Sequence, residues 1–315
     1  MSYPLPVGPT LNEAFQFGFK RWWTVARYGI APFIGAGLII MIAMMTIFRV
    51  ETFAEAGEAA PALDDALRFP VWAAVIAGVA ALLALFVVFS GFMASVYRLV
   101  ALGEDRPGLF HLRFDGPAVR VFWAFLILTL INYAIMGAAG LTSFLATGQS
   151  LPQIFAAFRE FASIMAAAEQ GAEPDPAVFQ AIAGPMGAIG LAMILALIPL
   201  IYANVRLSPF MAASAAENRV LLLGTLSLTK GRVWSVFAVN LLMVLAIMLI
   251  GTIFQLTVGI FDLVRQFFSG VGGFGVIASA FGVIVFAATV FYQLFVYGVQ
   301  FALHASIYRR LKTGA

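Results

Sequence analysis

The chain has 315 residues, of which 63% are hydrophobic and 10% charged, with a mean hydropathy of +1.00, and this lies outside the composition of soluble domains. The formal net charge is +3, and there is no cysteine, which excludes a disulfide framework, a thiolate metal site and a cysteine nucleophile. Such a composition belongs to a membrane protein.

The chain opens on a short amphipathic segment. Thr10 and Glu13 have the spacing of a capping box; Leu11, Phe15, Phe19, Trp22 and Ala26 share one helical face, and Glu13, Gln16, Lys20 and Arg27 the other. A helix of this kind is expected to lie in the headgroup plane. Uncharged intervals follow at Tyr28–Phe48, Phe69–Tyr97, Val121–Phe158, Pro176–Val205, Val233–Phe261 and Gln266–Tyr308. Even the shortest reaches about 32 Å at a helical rise of about 1.5 Å per residue, enough to cross the hydrocarbon core. Six spanning helices are predicted. None of the intervals alternates cleanly, which excludes a β-barrel. The first interval is too long for a signal-peptide core, so it is expected to stay on the mature chain although Ala54–Ala56 resembles a cleavage site.

The middle outer loop, roughly 148–183, contains "LPQIFAAFREFASIMAAAEQ", whose apolar positions Ile154, Phe155, Phe158, Phe161, Ile164 and Met165 have helical spacing. It predicts an amphipathic surface helix. Pro199 and Pro209 are expected to kink or end the fourth span. Ser214 and Glu217 repeat the capping pattern ahead of the fifth span, and Gly231 is placed to end that short helix.

The six spans sort the charges. Of the 18 Lys and Arg, 14 fall on the side of the termini; with the acids divided 5 against 10, the two sides carry +9 and −6. The Lys/Arg bias puts both termini in the cytoplasm, at a bacterial inner membrane. Arg21/Trp23 in "FKRWWTV" and Arg232/Trp234 in "KGRVWSV" align just ahead of odd-numbered spans, and "VRVFWAF" is a looser copy at Arg120 and Trp123. The even spans end alike at Arg98, Arg206 and Arg309. Three helical hairpins are implied, at approximately 10–105, 106–212 and 213–315, within a single membrane domain 1–315. The fold class is therefore an all-α integral membrane protein with six transmembrane helices, arranged as three repeated hairpins with amphipathic interfacial helices.

The stretch "VRLSPFMAASAAENRVLLLGTLSLTKGRVWSVF", Val205–Phe237, resembles the hallmark of the six-span membrane domain that precedes the catalytic domain in some bacterial glycerophosphodiester phosphodiesterases, and that also occurs in stand-alone relatives. The resemblance implies the six-span topology. It carries over no catalytic residue, and no phosphodiesterase domain is expected after the sixth span.

Other features point to no chemistry. "GVGGFG", Gly270–Gly275, has the spacing of a dinucleotide fingerprint but lacks the strand and acidic residue that such a site needs. His111 and His304 stand without a ligand set, and His304 is expected to hydrogen-bond near the cytoplasmic interface. The polar residues within the spans, Asn132, Asn204, Asn240, Gln255, Gln293, Gln300, Ser90 and Ser95, are expected to join helices. The small-residue ladders Gly184/Gly187/Gly190 and Gly137/Ala138/Gly140 are expected to mark close helix contacts.

The reading is a non-enzymatic membrane module or assembly factor with no cofactor. Its alternative is a transporter or channel for a small or lipidic substrate, which lacks an intramembrane charge to mark a pathway. Membrane lipids are the expected partners, with a protein partner or homo-oligomer as the second class, and no nucleic acid. The residues expected at the lipid interface are Lys20, Arg21 and Trp23; Arg98; Arg120 and Trp123; Arg206; Lys230, Arg232 and Trp234; and Arg309.

Overall fold

A computed structural model describes residues 5–48, 69–105, 115–169, 176–270 and 275–314. The first outer loop with Arg49, Arg68 and Ala54–Ala56, together with Arg106, His111, Arg113 and residues 271–274 of the glycine motif, lies outside the described residues. The helices among the described residues are α1 (Val7–Lys20), α2 (Trp22–Ile47), α3 (Val71–Leu102), α4 (Gly116–Thr147), α5 (Leu151–Glu169), α6 (Pro176–Leu207), α7 (Phe210–Glu217), α8 (Leu222–Leu228), α9 (Val233–Gly270) and α10 (Gly275–Thr313). Six helical stretches are long and apolar enough to cross a membrane: Trp22–Ile47, Val71–Leu102, Gly116–Thr147, Ile182–Glu217, Val233–Phe267 and Ser279–Thr313. The protein is an all-α, multi-pass membrane protein.

The helix boundaries follow local chemistry, and two differ from the capping patterns. Helix α1 starts after Pro6, so Thr10 lies one turn inside it, buried, with its hydroxyl donating 2.6 Å to the Pro6 carbonyl. Threonine inside a helix satisfies itself this way, and the capping box is not formed. Ser214 likewise lies within α7; its Oγ accepts from the Leu221 amide at 3.3 Å and closes the turn after that helix. Asn218, in the left-handed region at φ 51°, ends α7. Gly231 has φ 75° in the turn between α8 and α9, as expected of a residue that redirects the chain there. Helix α6 runs through Pro185 and Pro199; the chain breaks at Pro209, which caps α7.

The chain forms two compact units, Met1–Phe125 with Leu207–Ala315, and Leu126–Arg206. In the first, the buried residues gather where the first and last helices meet. They are Ala14 of α1, Val25 and Tyr28 of α2, Phe92 to Tyr97 of α3, most of α7, and Leu294, Val299, Leu303 and Ile307 of α10. Phe33, Phe89, Phe92, Tyr97, Tyr297 and Phe301 form a connected aromatic cluster within this core, with neighbouring ring centroids 5.4 to 6.3 Å apart. Away from it, Ile34, Leu38, Met45, Leu245, Leu249 and Leu256 are exposed, which carries no cost where lipid tails are the solvent.

In the second unit, Ser143 Oγ of α4 donates 2.5 Å to the Ala188 carbonyl of α6. Helix α5 forms as expected, but on a different face. It buries Ile154, Ala157 and Ile164, the last two clustering with Ile182 and Met186, while Phe155, Phe158 and Phe161 stay exposed. The small-residue ladders mark no close helix contact along their length: a β-carbon at Gly137, Gly187 or Gly190 would meet nothing within 4 Å, and only Gly184 is approached closely, by the Gln149 side chain at 3.3 Å. Close approach occurs in the first unit at Gly18, Gly29, Gly251 and Gly298, where a β-carbon would collide with Val299, Leu294, Tyr292 and Val25 respectively.

Candidate membrane-interface site

The basic residues divide by whether the fold supplies them with a counter-charge. Glu13 of α1 receives Arg309 and Arg310 of α10, the latter at 3.2 Å, and accepts from Ser306 Oγ at 2.9 Å. Glu217 accepts from Lys312 Nζ at 3.0 Å, Tyr308 Oη at 2.8 Å and Arg219 at 2.8 Å. Arg98, with 15% of its side chain exposed, pairs with Glu104 at 2.6 Å and donates 3.0 Å to the Ala215 carbonyl. Arg27 and Tyr28 both reach Asp105. Arg309 and Arg232 also donate to the Val100 and Leu311 carbonyls, each at 3.4 Å, so cations close the C-terminal ends of α3 and α10.

Of the residues expected at the interface, Arg98, Arg232 and Arg309 are thus bonded within the fold. Arg120 donates 3.4 Å to the Asn218 carbonyl, and Arg206 donates 3.0 Å to Tyr202 Oη, with its guanidinium 5.8 Å from that ring. Lys20 and Lys230 are exposed; Lys20 has only a 3.4 Å contact to Gln16, and the Lys230 side chain has no partner among the described residues. Arg21 is exposed, with its guanidinium likewise without a partner among them. Trp23 is 61% exposed, Trp123 47% and Trp234 80%.

The two corners that carry Arg21 and Arg232 have one local geometry. Each arginine directly precedes a span and accepts, at 3.0 Å, the amide of a buried valine four residues on, Val25 or Val236. The tryptophan between them, Trp23 or Trp234, points away from the protein. Arg120 departs from this register, since it lies inside α4 rather than ahead of it.

The counter-ions Glu13, Glu104, Asp105 and Glu217 were not singled out as such from the sequence. Their signal was their position: they are four of the few acids on a side dominated by bases. His304 does not make the hydrogen bond expected of it, for its Nδ1 is buried without a partner among the described residues, as is the Tyr97 hydroxyl. Asn132 and Asn204 do join helices, through reciprocal amide bonds of 2.9 and 3.4 Å between α4 and α6. Asn240 donates 2.8 Å to the Val236 carbonyl of its own helix instead. Among the described residues no group of three or more His, Asp or Glu gathers to hold a metal. No family model, characterised protein or solved structure matches this chain.

Proposed function

We propose that this chain is a non-enzymatic multi-pass protein of a bacterial inner membrane, with both termini cytoplasmic, that acts as a lipid-contacting module or assembly factor. The observation that carries the reading is the pair of matched corners, in which a tryptophan faces outward beside cations that have no counter-charge among the described residues: Lys20 and Arg21 beside Trp23, and Lys230 beside Trp234. Indole and lysine together suit an anionic headgroup layer, where each basic residue contributes about 1 kcal/mol. The shared register of these corners supports the internal repeat. The resemblance to the membrane domain of glycerophosphodiester phosphodiesterases supports the same class of role, a membrane part without chemistry of its own. Orientation rests on the charge balance.

The test uses the full chain in bilayers of mixed phosphatidylglycerol and phosphatidylcholine, with bromine placed on the acyl chains of one lipid at a time. Variants retaining only Trp23 or only Trp234 report the local lipid. Brominated phosphatidylglycerol is expected to quench more than its bulk share, and this excess should fall with added salt and in Lys20→Gln/Arg21→Gln/Lys230→Gln. Equal quenching by both lipids would overturn the proposal.

A further inference from the structure

We infer that the unit Leu126–Arg206 holds a glycerolipid by its ester carbonyls, in a recess between α4 and α6. The recess has a volume of about 400 Å³ and is lined by Thr129, Asn132, Tyr133, Met136, Leu200 and Asn204. Its polar groups are not all satisfied among the described residues. Asn204 Nδ2 uses both hydrogens, on Asn132 Oδ1 at 2.9 Å and on the Leu200 carbonyl at 2.8 Å. Asn132 Nδ2 spends one hydrogen on Asn204 Oδ1 at 3.4 Å and keeps the other. The Tyr133 hydroxyl has no partner among the described residues, and neither does that of Thr129. Thr142, Thr252, Thr257 and Thr289 behave differently, each donating to the carbonyl four residues back.

Three donors therefore face the recess: one amide N–H and two hydroxyls. The depth of the site says what can meet them. Asn204 lies three residues from the end of α6 at Leu207. Arg206 follows Asn204 by two residues, and Tyr133 and Tyr202 are 66% and 53% exposed. An arginine and two outward tyrosines mark the inner edge of the hydrocarbon rather than its centre. At that edge water is scarce and unpaired donors are costly. The abundant groups there are the ester carbonyls of glycerolipids, which accept hydrogen bonds and donate none. Met136 and Leu200 give the start of the tails an apolar surface. The complement is acceptor-only ligand against spare donors.

This inference stands on residues 129–204 and not on the tryptophan corners, so either can fail alone. Its test places the full chain in nanodiscs made of equal parts diester and diether phosphatidylglycerol with identical chains and headgroup. The two lipids differ only in the carbonyls. Lipids retained after mild detergent extraction are counted by native mass spectrometry. The diester form is expected to be retained over the diether by about tenfold, the size of one to two hydrogen bonds, and Thr129→Val/Tyr133→Phe should abolish that preference. Neither side chain makes a hydrogen bond among the described residues, so this variant should keep the fold, as its unfolding temperature can verify. Lys20→Gln/Arg21→Gln/Lys230→Gln should leave the ester preference unchanged. Equal retention of ester and ether lipids, a preference that survives the double variant, or a second copy cross-linked over the recess through Tyr133→Cys would each overturn the inference.

Discussion

Gly298 of α10 faces Val25 of α2 so closely that a β-carbon on the glycine would stand 2.7 Å from Val25 Cγ1 and 3.1 Å from Cγ2. Val25 is β-branched, 1% exposed, and cannot rotate away without striking its own helix. Gly298→Ala is therefore expected to destabilise the first unit by about 1 to 3 kcal/mol, the usual result of overpacking. Gly37→Ala, where an added carbon meets nothing, is expected to be neutral or stabilising by up to about 1 kcal/mol through helix propensity. Reversible unfolding in detergent would compare the two; equal stability would remove the close contact.

Among the described residues, Glu13 is the one acid paired with Arg309 and Arg310 at the junction of α1 and α10. Its side chain is 25% exposed and that of Arg309 43%, so solvent screening limits the loss in Glu13→Gln to about 1 kcal/mol. The expected readout is hydrogen exchange about fivefold faster in residues 7–20, with exchange in α9 unchanged. Uniform exchange in the two proteins would show that apolar packing alone holds α1.

Helix α5 gives opposite expectations for its two faces. Ile164→Asp puts a carboxylate among Ala157, Ile182 and Met186 and should release the helix to fast exchange, at a loss of several kcal/mol if the charge stays buried. Phe158→Ser, on the exposed face, should leave exchange of the helix unchanged within a factor of about two, corresponding to surface effects below about 0.5 kcal/mol. The reverse order would mean that the aromatic face is the docked one.

Topology is checked independently of the fold. Reporter fusions at Gly57 and Ala172 are expected to read periplasmic, and fusions after Thr313 cytoplasmic, because the side carrying +9 holds both termini. A cytoplasmic signal at Gly57 or Ala172 would reverse the assignment.

The spans were legible because hydrocarbon admits so few charges that long uncharged intervals announce themselves. The third interval, Val121–Phe158, nevertheless ran past the end of α4 at Thr147, since the loop and the start of α5 are uncharged too. Side-chain partners were legible only where spacing along one helix decides them. Thr10–Glu13 and Ser214–Glu217 fit a local motif, but Glu13 and Glu217 are taken by cations some 300 and 100 residues away, which no short pattern encodes. Glycine positions misled for a similar reason: a ladder on one helix reveals nothing about whether a partner helix lies opposite. Gly298 and Gly18 meet their neighbours singly, without a ladder. The reciprocal amides Asn132 and Asn204 were recognised as helix-joining groups, yet their pairing with each other depends on the register of α4 against α6.

The contact of Glu13 with Arg310 spans 297 residues of sequence. During synthesis at about 5 to 20 residues per second, α1 emerges on the order of 15 to 60 s before its partner exists. Until then its exposed Lys20 and most of its apolar face have the bilayer surface to rest on, and the full docking of α1 becomes the event that reports the arrival of the final helix. A chain truncated before Gly275, and so lacking α10, should therefore insert its earlier spans yet leave its first helix open to proteases, a ready mark by which quality control can tell an unfinished molecule from a finished one.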